Sequence, residues 1–179
     1  WKGEYDRAEE YLAYYSSRDP ERQRRQGDIY SRTGRIREAY RLYEELAFSG
    51  YHKLQIALQS ICQLAKQEKD MERAQFIVEK QTGLARLMEI GRYQEATLEM
   101  DLAMAEKDVE ATLQIGRKLL SGIEDMTSYS RSPLYEHMEF KELSEESKQK
   151  MRETLVKALH EEETFGYMKG EVRCQELLE

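Results

Sequence analysis

Apolar residues recur every three or four positions along most of the chain, separated by short polar or glycine-bearing breaks. Ile36, Ala39, Tyr40, Tyr43, Leu46 and Ala47 fall on one helix face. Leu54, Ala57, Leu58, Ile61, Leu64 and Ala65 make a second stripe, and Met71, Ala74, Ile77 and Val78 a third. Tyr93, Ala96, Met100, Ala103 and Met104 follow, then Val109, Leu113, Gly116, Leu120 and Ile123, and last Met151, Leu155, Ala158 and Leu159. No Val/Ile/Thr-rich alternating run is present, so strands are not expected. Asp19-Pro20 predicts a helix start, because the carboxylate accepts from first-turn amides and Pro at the first helical position loses no hydrogen bond. Gly34 suits a helix stop, Gly50 is expected to end the helix begun near Ile36, and Lys69-Asp70 marks another break. Residues 71–90 admit either one long helix containing Thr82-Gly83 or two short ones. Met126–Leu143 reads as irregular; Ser144, with Glu145 and Glu146 behind it, reads as an N-cap. A short last helix is expected after Gly166 or Gly170.

One phrase recurs at the breaks: a turn, an apolar residue, two further residues, then Ala. It stands at Gly3–Ala8, Gly34–Ala39, Lys69–Ala74 and Gly91–Ala96, with a shorter copy at Lys107–Ala111. The Ala-to-Ala spacings are 31, 35, 22 and 15 residues. A small residue lets two helices cross closely, and one helix pair cannot bury its own stripe, so stacked copies are required. The phrase at Gly3 has the form of the second helix of a pair, which places a first helix before Trp1.

In Gly27–Leu46 the pattern resembles a tetratricopeptide repeat: Gly27 at the small first-helix position, Tyr30 three later, Ala39 in the second helix, Tyr43 four later, then Leu46. Cys62, Ala65, Ala74 and Val78 repeat the register, whereas Gln23, Gln26 and Tyr51 stand at the consensus Trp, Leu and Pro positions. The resemblance covers residues 20–80 well and the remainder weakly. It implies an all-α fold, a tetratricopeptide-like right-handed α-solenoid of antiparallel helix pairs with extra C-terminal helices. The expected organisation is repeats over 1–126, an irregular loop over 127–143, and C-terminal helices over 144–179 packed on the same domain. The groove-lining register of such arrays implies that Arg24, Asp28, Ser31 and Arg32 face a concave surface in the first copy, and Gln59, Gln63 and Lys66 in the second. Spacing alone also puts Gln55, Gln59 and Gln63 in one polar row. Amides that donate and accept, beside arginine forks, suit an extended peptide or its acidic end.

Charge and composition narrow the readings. The net charge is −7, with eight arginines against four acids in Arg18–Arg41 and twelve acids against seven Lys or Arg from Glu136 onward. An acidic chain is a poor nucleic-acid binder by itself. Cys62 and Cys174 lie far apart, which fits a reducing, cytoplasmic compartment, and no apolar run approaches a membrane span. No HExxH, GxSxG, GxxxxGK or GxGxxG motif occurs, and His52, His137 and His160 are scattered, the last preceding Glu161 to Glu163. Neither enzyme activity, cofactor nor metal is expected.

An acidic, Tyr-rich array that opens inside a repeat at Trp1 and carries a long segment with "SPLYEHMEF" also resembles the C-terminal helical domains of bacterial XRE-type helix-turn-helix regulators. That resemblance implies a ligand- or protein-binding regulatory module. Its partner is a peptide or protein, and DNA is reached only through a part upstream of Trp1. A constitutive assembly scaffold is the alternative: a homodimer pairing the acidic last third of one copy with Arg18–Arg41 of another. A helical enzyme using Met126–Leu143 is the third reading, since long loops are often functional.

Overall fold

The computed structural model describes residues 3–17, 19–159 and 162–168, with no side chains described at 162 and 163. The readings attached to Trp1, Arg18, His160, the acidic side chains Glu161 to Glu163, Cys174 and a helix beyond Gly170 lie outside the described residues. The architecture is all-helical, with no strand among the described residues. No helix among them is long and apolar enough to cross a membrane. The chain divides into two units, Trp1–Lys53 with Ser130–Phe140, and Leu54–Tyr129 with Lys141–Glu179.

The first unit holds α1 (Tyr5–Leu12), α2 (Pro20–Arg32) and the opening half of α3 (Ile36–Gln67). Asp19 caps α2, its carboxylate accepting from the Glu21 amide at 2.8 Å. Ala8 and Leu12 of α1 bury against Ile29 of α2. On the other side of α2, Gly27 is what the packing against α3 demands. A methyl group built there would lie 2.7 Å from Cε1 of Tyr43. Part of the expected irregular loop also belongs to this unit. Pro133–Tyr135 forms a 3₁₀ turn, opened by the Ser132 hydroxyl accepting from the Leu134 amide. Tyr135 is buried edge-on to Phe48, which also meets Phe140.

The gap-free course of α3 corrects the expected stop at Gly50. Glycine inside a helix costs only ~1 kcal/mol relative to alanine. The next residue, Tyr51, is buried, so continuing the helix recovers more than that. The second unit takes the remainder of α3, then α4 (Met71–Leu87), α5 (Arg92–Glu106), α6 (Val109–Gly122) and α7 (Glu145–Leu159), followed by the one-turn α8 (Glu162–Phe165). Residues 71–87 are thus one helix that passes through Gly83. Cys62 and Ala65 of α3 pack on Ala74, Ile77 and Val78 of α4. Ala96, Met100 and Ala103 of α5 meet Leu113, Ile115 and Leu119 of α6, and Leu159, Phe165 and Met168 close that core. Ser144 caps α7 by accepting from the Ser147 amide at 3.2 Å.

The recurring phrase has one structural meaning. In four copies a left-handed residue stands two positions before the helix: Gly3 before Tyr5, Gly34 before Ile36, Lys69 before Met71 and Lys107 before Val109. In the last two, the intervening Asp70 or Asp108 is the N-cap, accepting at 3.0 Å from the amide three residues on. Gly91 (φ 110°, ψ 158°) does the same work before α5 in a backbone region open essentially to glycine alone. The alanine one turn further on is buried at Ala8, Ala39, Ala74 and Ala96 and half-buried at Ala111.

The two helical glycines therefore answer differently to the same change. Gly27→Ala forces Tyr43 to move and is expected to cost about 1–3 kcal/mol in urea unfolding. Gly50→Ala meets nothing within 4 Å and is expected to add about 0.5–1 kcal/mol. Equal effects at both positions would contradict this packing.

Candidate functional site

The sequence-chosen residues fall into two groups, one in each unit. In the first, Arg24, Asp28 and Arg32 project from α2 and line a cleft of about 230 Å³ with Tyr5, Arg25 and Ile29. The charges of Arg24 and Asp28 are largely spent within the helix. Arg24 presents both arms of its guanidinium fork to Glu21, Nε and Nη2 each at 2.9 Å, and gives Nη1 to Asp28 at 2.8 Å. Arg25 adds a second guanidinium to Glu21 at 2.8 Å. These hydrogen bonds, Arg24 first, pull the Glu21 carboxyl down to about 2 and raise both arginines. The fork expected to hold a ligand's carboxylate already holds one. Asp28 is tied a second time, accepting from the Tyr43 hydroxyl at 2.6 Å. Ser31 and Arg32 stay exposed.

The second group is drawn together on a residue the sequence reading did not select. Gln59, Gln63 and Lys66 stand on one face of α3 and all reach a single oxygen, Oδ2 of Asp101 on α5. The distances are 2.6, 3.0 and 3.4 Å. The Lys66 side chain is 16% exposed and that of Asp101 40%. Behind them lies Gln81 of α4, fully buried, whose Nε2 donates to Oε1 of Gln59 at 3.2 Å. Gln55 fixes the far end, its Nε2 donating at 2.8 Å to the Gln81 main-chain carbonyl.

The direction of this chain follows from chemistry. Asp101 as a carboxylate only accepts, so Gln59 must turn its nitrogen toward it and its oxygen toward Gln81. Gln81 must then offer its nitrogen to Gln59, which leaves Oε1 on the other side. That oxygen is buried with no hydrogen-bond partner among the described residues. Beside the network opens a cleft of about 430 Å³, walled by Ile56 and Leu98 and lined by Gln55, Gln59, Gln81 and Asp101. Its size lies within the range of ~300–1,000 Å³ typical of small-ligand sites.

A larger cleft of about 600 Å³ lies between α4, α5 and α6, but two of its cations are already matched. Arg86 pairs with Glu95 at 2.9 Å and Lys118 with Glu99 at 3.1 Å. In the segment proposed as an enzyme site, His137 is held from two sides by the buried Glu44. Its amide and Nδ1 lie 2.8 and 2.7 Å from the carboxylate, and its ring stacks on Tyr40. Among the described residues no three His, Cys, Asp or Glu side chains are grouped to hold a metal.

Two signals for the missed residues were present in the sequence. Gln81 continues the buried register Ala74, Ile77, Val78, so an amide there had to find polar company. Asp101 interrupts the apolar run Met100-Asp-Leu-Ala in the middle of a helix, where aspartate is a poor helix former. Comparison of the chain with protein-family models, with curated proteins and with solved structures returns no match.

Burial first, then the Asp28 bond, push the Tyr43 phenol up to about 12. Below about pH 9 folded and unfolded chains both keep the phenol neutral and its contribution to stability is complete. Above that the unfolded phenol ionises first, so stability falls until the folded group titrates near 12. The stability gap between wild type and Tyr43→Phe is therefore expected to narrow across this window in urea unfolding. A gap that stays constant would show that the bond does not hold the phenol neutral.

Proposed function

We propose that this chain is a ligand-binding regulatory repeat module whose groove takes a short extended peptide. In this reading its helices are tetratricopeptide-like antiparallel pairs of a right-handed α-solenoid. Following the resemblance to XRE-type regulators, its output is control of a DNA-binding part. The reading is carried by the convergence of Gln59, Gln63 and Lys66 on Asp101 at the edge of an open cleft with apolar walls. The glutamine amides, spaced at one-turn intervals, hold Asp101 at the cleft edge, where its carboxylate presents an acceptor to a peptide. A ligand that settles better on one arrangement of the helices than on another shifts the population toward it, and by no more than that preference.

This reading leaves out the group around Arg24, whose guanidinium is engaged by Glu21 and Asp28. Individually synthesised heptapeptides titrated against the ¹⁵N-labelled chain are expected to give saturable shifts of the Gln59 and Gln63 side-chain amides. Gln63→Ala is expected to weaken the best of them about 3–10-fold, the value of one hydrogen bond. Arg24→Ala leaves it unchanged. No saturable ligand, or loss in Arg24→Ala alone, rejects the site.

The assembly-scaffold reading is favoured by a different observation. Leu54, Ala57, Ile61 and Leu64 of α3 are exposed at the 3-4-3 spacing with which helices pack on one another. Half of the eight arginines in Arg18–Arg41 are already paired within the chain, Arg24 and Arg25 with Glu21, Arg35 with Glu9 and Arg41 with Glu45. A self-association through α3 is then apolar. Sedimentation is expected to show a dimer that persists from low to high salt and that Leu64→Lys dissolves. A monomer in every condition removes this second reading.

A further inference from the structure

The charge and polarity of the cleft beside Asp101 specify which end of a peptide it takes, an inference that rests on the peptide-groove reading above. Asp101 alone is charged among the described residues lining it. Its three donors all use Oδ2, and Oδ1 accepts no hydrogen bond among the described residues. The ammonium of Lys66 is turned to Asp101 and does not line the cleft. The donors that do line it are engaged elsewhere. Ser60 and Thr97 give their hydroxyl protons to carbonyls of their own helices, at 3.0 and 2.9 Å. The Gln59 nitrogen faces Asp101, and the Gln55 nitrogen faces the Gln81 carbonyl. What remains open is a carboxylate oxygen of Asp101. A ligand carboxylate placed here meets a like charge in a partly enclosed site; an ammonium meets an acceptor. The net charge of −7 works in the same direction at long range. Ile56 and Leu98 supply apolar walls for an aliphatic side chain beside that charge.

We propose that this cleft binds the free amino end of a peptide whose first residue is aliphatic, the ammonium on Asp101 and the side chain between Ile56 and Leu98. The acidic peptide end expected from the sequence has its counterpart inside the protein instead: Asp101 occupies the donors that would have received it.

The test titrates the ¹⁵N-labelled chain with four small probes and follows the side-chain amides of Gln59 and Gln63. Leucinamide carries the ammonium and the aliphatic group, N-acetylleucinamide is its neutral analogue, N-acetylleucine carries a carboxylate, and putrescine is a cation without the branched side chain. Leucinamide is expected to saturate, with the neutral analogue weaker by about ten-fold or more, the value of a charge-assisted hydrogen bond. Putrescine and N-acetylleucine are expected to shift neither amide. Asp101→Asn, still able to accept from its three neighbours, is expected to bring leucinamide down to the level of the neutral analogue. Lys66→Gln keeps a donor while removing the competing cation, and is expected to tighten leucinamide several-fold, which a purely structural Lys66 would not do. Preference for N-acetylleucine overturns the assignment while leaving a peptide groove in place. Putrescine binding as well as leucinamide overturns the peptide end in favour of a bare cation site. Silence with all four probes, or unchanged affinity in Lys66→Gln, overturns the proposal.

Discussion

Five helices, α1 and α3 to α6, begin with the same physical requirement: the chain must reverse and then bring a backbone close to its neighbour within one turn. A left-handed or glycine-only residue achieves the reversal, and a buried alanine achieves the approach. The two demands are linked. A bulkier residue at Ala74 or Ala96 would hold the helices apart and strip Ile77, Val78 or Met100 of their contacts. Lys69, Glu89 and Lys107 accept left-handed geometry without being glycine, at a cost of order 1 kcal/mol each. The packing that follows each turn has to offset that strain.

Upon this apolar frame sits a polar network with a definite direction. A single carboxylate orients an amide, which orients a second, buried amide, and the unmatched acceptor is left buried at the end of the chain. Such a network specifies one arrangement of α3, α4 and α5, because slipping any of them by a turn breaks several bonds at once. It also gives the neighbouring cleft its polarity, so the same contacts that fix local structure also set the chemistry open to a ligand.

The turns and the alanines were legible because they depend on local chemistry: Gly34, Lys69-Asp70 and Ser144 stand where capping rules place them. Gly50 misled because its weakness as a helix former is outweighed by the burial of Tyr51, a tertiary effect. The polar residues around Asp101 were half legible. Gln59, Gln63 and Lys66 share a face by spacing alone, yet the aspartate that gathers them lies 35 residues or more away in the sequence. For Arg24 the opposite holds. Its partners Glu21 and Asp28 stand at the three- and four-residue spacings of intrahelical ion pairs, a nearby signal that a register borrowed from repeat arrays conceals. The seating of Ser130–Phe140 against Phe48 had no local signal at all.

Cys62 is buried between α3 and α4, its sulfur 3.8 Å from the Ala74 carbonyl, and burial raises its thiol above the usual range. A sulfur so enclosed reacts with an alkylating reagent only in the moments when that helix pair parts. Its labelling rate is therefore a built-in clock for breathing of that helix pair, and any ligand that clasps α3 to α4 and α5 should make the clock run slow.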